Sequence, residues 1–113
     1  MNATVIGVDR LANDIRDAGS DWSDLDAAAS LLEETKSVLL AELMSACPEG
    51  VALGTKEMRA KADPVFREHV KRMVEARRVA NRARVRYHAL QVLADLRRTA
   101  EASKRAELRA LGG

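Results

Sequence analysis

A chain of 113 residues with 47% apolar and 32% charged side chains has the length and composition of one folded domain, and is neither disordered nor membrane-buried in character. Only Trp22, Phe66 and Tyr87 are aromatic and twenty residues are alanine, so large core-filling side chains are scarce and the core is expected to be thin. The net charge of +2 conceals an asymmetry: residues 1–54 carry three bases and ten acids, residues 55–113 sixteen bases and seven acids.

The first predicted element is a short amphipathic helix over residues 9–18. Val8, Leu11, Ala12, Ile15 and Ala18 follow helical spacing, and Gly19 reads as its end. A second helix is predicted over residues 24–46. Ser23 stands as its cap with Asp26 three residues on, and Asp24 and Asp26 complement the positive end of the helix dipole. Leu25, Ala28, Leu32, Thr35, Leu39, Leu43 and Ala46 then recur at steps of three and four, and Pro48 stops the run. The stretch PEGVALGT, residues 48–55, has the composition and length of a loop between antiparallel helices.

A long helix is predicted over residues 56–111, with Thr55 as a cap and a kink at 63–64, where Asp63 and Pro64 have the order of an N-cap and the first helical residue. Phe66, His69, Met73, Ala76, Ala80, Ala83, Tyr87, Leu90 and Ala94 alternate by three and four, a heptad seam with alanine at its centre, where small side chains permit close helix approach. Beyond Leu90 the apolar line shifts to Leu93, Leu96, Ala100 and Ser103. The expected fold is therefore all-α, an antiparallel helical hairpin or coiled coil in a single domain, with a long C-terminal helix and a short N-terminal one.

At 1.5 Å per residue the long helix would reach roughly 70 Å and the helix over 24–46 only about 35 Å. The exposed remainder needs the short first helix, a second copy of the chain or another protein. A homodimer is expected, with Tyr87, Leu90, Leu93 and Leu96 as the self-association residues.

RRVANRARVR, residues 77–86, brings together Arg77, Arg78, Arg82, Arg84 and Arg86 around Asn81 without one acid. With Arg77 at zero and about 100° per residue, the seam residues fall near 240–300° and the five arginines between about 340° and 180°, so they surround the face away from the core. A solvated face, paired in part with Glu33, Glu34 and Glu42 of the preceding helix, accounts for some of this charge, and Lys71, Arg72 and Arg77 are best placed for such pairing. From Lys71 to Arg86, however, seven bases face the single acid Glu75. Bound phosphates would relieve that repulsion and release counterions, and guanidinium groups fit phosphate geometry and stack on unpaired bases. Arg77, Arg78, Arg82, Arg84, Arg86 and Asn81 are thus candidates for binding nucleic acid, single-stranded DNA in particular, or an acidic protein surface, with Val79 and Val85 beside them.

No other constellation carries chemistry. Cys47 closes an apolar stripe as a small buried hydrophobe and fits a reducing compartment. His69 and His88 lack partners at ligand spacing, so no metal is expected. GVALGTK has the wrong order for a phosphate loop, and Glu33 and Glu34 point apart on a helix. No catalytic residue and no cofactor is expected. No apolar run approaches the roughly 18 residues of a membrane span and the Met1 region lacks a basic start before an apolar segment, so the expected location is cytoplasmic, without membrane contact.

The segments GTKEMRAKADPVFREHV, EARRVANRARVRYHAL and LRRTAEASKRAE together resemble small, charged, helical proteins of bacteriophages and prophages encoded near recombination or replication genes. The resemblance covers Gly54 to Glu107 and implies an accessory protein acting on DNA or on a DNA-processing protein, in the cytoplasm of the host cell. It implies no catalytic residues. A protein-interaction module, such as an inhibitor of a host defence complex, or a small structural or assembly protein are the other functions that fit the sequence.

Overall fold

The computed structural model describes the backbone of residues 3–112 and the side chains of residues 9–112; the Val8 side chain lies outside this range. The described chain is all-α, with helices α1 (Ala3–Ser45), α2 (Leu53–Ala62) and α3 (Pro64–Gly112). Its contacts group into two compact units. One consists of Met1–Trp22 with Arg82–Gly113, the other of Ser23–Asn81. In each, α1 and α3 pack antiparallel, the arrangement expected of a helical hairpin.

The predicted break between residues 18 and 24 is absent, because α1 runs through Gly19 and Ser23. Gly19 does not adopt the left-handed backbone of a helix stop; among the described glycines only Gly50, in the loop after Pro48, has a positive φ, of 85°. What Gly19 provides is space: a Cβ there would lie 3.1 Å from Cε2 of the Tyr87 ring, so the ring would have to shift by a few tenths of an ångström to admit it. Glycine inside a helix costs roughly 0.5–1 kcal/mol relative to alanine. The short helix and the helix over 24–46 are thus one 43-residue helix.

Between α1 and α3 the sequence signals hold in part. Thr55 is not a cap: α2 begins two residues earlier at Leu53, and the Ala52 carbonyl accepts from the N–H groups of Thr55 and Lys56 at 3.1 and 3.0 Å. Within α2, Lys61 pairs with Glu57 at 2.8 Å and holds that carboxyl below its ordinary pKa through the hydrogen bond and its charge. The kink falls where Asp63 and Pro64 placed it. Asp63 is extended, as a residue before proline prefers, and its Oδ1 accepts the Val65 N–H at 2.8 Å, so it caps α3.

Among the described residues the fully buried positions are mostly alanine. Ala18, Ala29, Ala60 and Ala80 are buried at 2% exposure or less, and Phe66, at 6%, is the larger residue with them. Along α3, Phe66 and Ala80 are buried and His69, Met73, Ala76, Ala83, Tyr87, Leu90 and Ala94 half-buried, so all nine predicted seam positions turn inward. On α1 the line passes through Leu25, Ala29, Leu32, Thr35, Leu39 and Leu43; Ala28 and Ala46, placed on the seam by spacing, are exposed. A step of four after Leu25 keeps the heptad in phase with Trp22 and Ala18, and a step of three does not.

Because α1 is a single long helix, α3 is not left uncovered beyond residue 81. In the unit of Met1–Trp22 and Arg82–Gly113, Leu11, Ala12 and Ile15 line one groove with Ala94, Arg97, Arg98 and Glu101. The two helices, of 43 and 49 residues, are nearly matched in length, so length alone does not call for a second copy of the chain. Tyr87 and Leu90 are half-buried, whereas Leu93 and Leu96, at 39% and 62% exposure, face water. No described helix is long and apolar enough to cross a membrane.

Candidate nucleic-acid interface

In the unit of Ser23–Asn81, α1 presents Asp26, Ser30 and Glu33 at steps of four and three, so the three share one flank of the helix. Arg77 of α3 lies against that flank. Its Nη1 donates to Asp26 Oδ1 at 2.6 Å and its Nη2 to Glu33 Oε1 at 2.5 Å. Nε donates to Glu33 Oε1 at 3.0 Å, and Nη2 also reaches Ser30 Oγ at 3.2 Å. The fork on Glu33, reinforced by Asp26, raises the guanidinium pKa above its already high ordinary value. Asp26 is therefore no capping residue: in mid-helix its carboxylate has no unpaired N–H group to accept from, and it binds Arg77 instead.

The same unit holds a second cross-helix bond. His69 Nε2 lies 2.7 Å from the Leu32 carbonyl, so the ring donates its Nε2–H and stands in the seam as a packed polar residue. Among the described residues no group of three or more His, Cys, Asp or Glu side chains is placed to hold a metal ion.

The remaining candidate residues of this unit are differently situated. Among the described residues Arg78 pairs with Glu75 alone, one turn back on α3, at 3.7 Å with both side chains 61% exposed, a pairing of little energetic weight. Asn81 is exposed. Lys71 and Arg72, expected to be offset by α1, form no ion pair among the described residues, and neither do Glu34 and Glu42.

In the unit of Met1–Trp22 and Arg82–Gly113, α3 exposes Arg82, Arg84 and Arg86, and among the described residues none has a carboxylate within 4.0 Å. Beside them the rings of Trp22, Tyr87 and His88 converge with centroids 5.5–5.6 Å apart, all tilted. Gln91 ties two of the rings together: its Nε2 donates to Tyr87 Oη at 3.0 Å and its Oε1 lies 3.3 Å from His88 Nδ1.

The structure thus divides the arginine segment. Arg77 leaves the candidate interface, consumed by carboxylates of its own chain, while Arg78, Arg82, Arg84 and Arg86 stay available. The Glu33 partner of Arg77 was readable from the sequence; Asp26 and Ser30 were missed, although their spacing with Glu33 was the signal. Val79 is half-buried and Val85 is 63% exposed. Arg77→Gln is expected to lower the thermal unfolding midpoint, since Asp26 and Glu33 then face each other without a cation. It should leave affinity for an oligonucleotide unchanged within twofold, measured by scanning calorimetry and anisotropy on the same sample.

No family model, no curated protein and no solved structure matches the chain.

Proposed function

We propose that the protein is a non-enzymatic accessory of bacteriophage DNA recombination or replication, acting in the host cytoplasm, and that it holds single-stranded nucleic acid against α3 through Arg78, Arg82, Arg84 and Arg86, with Asn81 beside them. The observation that carries this reading is that, among the described residues, no carboxylate neutralises Arg82, Arg84 and Arg86, which are exposed on the helix that also carries the paired Arg77. A helix that merely needed a wet face would gain from interspersed acids, which residues 76–94 do not contain. Phosphates supply the missing counter-charge, and guanidinium forks bind them without a need for base sequence. The bacteriophage setting rests on the resemblance of Gly54 to Glu107 alone.

Fluorescence anisotropy of a labelled oligothymidylate tests the reading. Saturable binding at low salt, weakened steeply by added salt, is expected; no binding at low salt removes it.

A second reading is favoured by a different observation. Val85, Val92 and Leu96 are 63%, 56% and 62% exposed and lie on one line of α3 at steps of seven and four, with Leu93 next to them. Such a line suits a protein partner or a second copy of the chain. A stoichiometric protein that co-purifies, or a dimer by light scattering that Leu96→Glu dissolves, together with no oligonucleotide affinity, would select it.

A further inference from the structure

Beside the exposed arginines lies an aromatic cluster. The chain contains three aromatic residues, and two of them, Trp22 from α1 and Tyr87 from α3, meet at one place with His88. A glycine beside Tyr87 leaves room for its ring, and the Gln91 side chain hydrogen-bonds to both Tyr87 and His88. Yet the cluster is not sealed: Trp22 and Tyr87 are half-buried, and His88 lies open to solvent.

Arg84 stands one helical turn before His88. At about 100° per residue it is about 40° from His88 around α3, whereas Arg82 and Arg86 are about 120° and 160° away. One arginine thus shares the flank of the open ring and two do not.

We infer that the Trp22–His88 edge is a stacking platform for one unpaired nucleobase, with Arg84 taking the adjoining phosphate. This deepens the nucleic-acid reading and rests on it. It assigns the ligand as a strand with accessible bases, since a paired base has no face to offer and a bare phosphate chain has no ring. Rings already gathered in the free protein lose less freedom on binding than dispersed ones, which is how a shallow edge gains affinity.

Trp22 is the sole tryptophan, so its emission reports on this edge directly. Oligothymidylate, an abasic strand of equal length and a blunt duplex are titrated while anisotropy of a strand label reports binding in parallel. Oligothymidylate is expected to quench Trp22 as it binds, and the abasic strand to bind with emission unchanged. His88→Ala is expected to weaken oligothymidylate binding about tenfold and abasic binding less than twofold, with unchanged helical circular dichroism, and His88→Phe to restore most of the loss. Anisotropy that rises with oligothymidylate while Trp22 emission stays constant would overturn the platform and leave the arginine reading standing. So would His88→Ala weakening both strands equally or neither. Binding of no strand at all removes both.

Discussion

Replacing Arg78, Arg82, Arg84 and Arg86 together with glutamine is expected to abolish most of the salt-sensitive affinity for single-stranded DNA while leaving the helical fold intact. Four phosphate contacts on a single strand give a slope of log K against log salt near −3, from about −0.7 per contact, so wild-type affinity should fall roughly fiftyfold between 50 and 200 mM salt. The quadruple variant should show a slope near zero and, at the lower salt, an affinity reduced by at least about tenfold. Glutamine retains helix propensity and hydrogen-bonding capacity, and all four side chains are exposed, so the fold is not the quantity being changed. Removing four like charges from one helix should even raise the thermal midpoint slightly. A variant with the wild-type slope would show that the strand is held elsewhere on the molecule.

Phe66→Ala is expected to cause a large loss of stability. Phe66 is 6% exposed and, among the described residues, the other buried hydrophobics are alanines, so its truncation removes the most atoms from a buried position. Truncating a buried phenylalanine costs about 3–5 kcal/mol, against a total of about 5–15 kcal/mol for a domain of ordinary stability. The midpoint of thermal unfolding should fall by about 10–20 °C, monitored by circular dichroism at 222 nm. The neighbouring Val65 supplies the control: it is 58% exposed, and Val65→Ala should change stability by no more than about 0.5 kcal/mol. Equal effects at the two positions would mean that the buried side of α3 has been wrongly assigned.

The periodic features of the sequence carried over to the structure. Nine seam positions from Phe66 to Ala94 turn inward because steps of three and four leave no choice of face once one residue is packed. Asp63 and Pro64 produced their kink because a proline restrains the residue before it whatever surrounds them. The misreadings come from residues whose meaning depends on contacts distant in sequence. Gly19 resembles a helix stop until the Tyr87 ring is set against it; Ser23 and Asp26 resemble a capping pair until α1 is seen to continue through them. Ala28 and Ala29 are chemically identical, and only the phase set by Trp22 and Ala18 chooses between them. Within the arginine segment, Glu33 could be read as an opposing charge, but which arginine it captured depended on the register of α1 against α3. That register made Arg77 structural and left the others open.

The division between a spent Arg77 and four available arginines is open to direct observation. Side-chain Nε–Hε correlation spectra of the ¹⁵N-labelled protein resolve individual guanidinium groups, and the spectrum is recorded alone and with added oligothymidylate. The Arg77 signal should be slow to exchange with water in the free protein and stay in place on titration, while those of Arg78, Arg82, Arg84 and Arg86 exchange quickly at first and then shift with the strand. A titration that moves Arg77, or that leaves the other four where they began, would contradict the account.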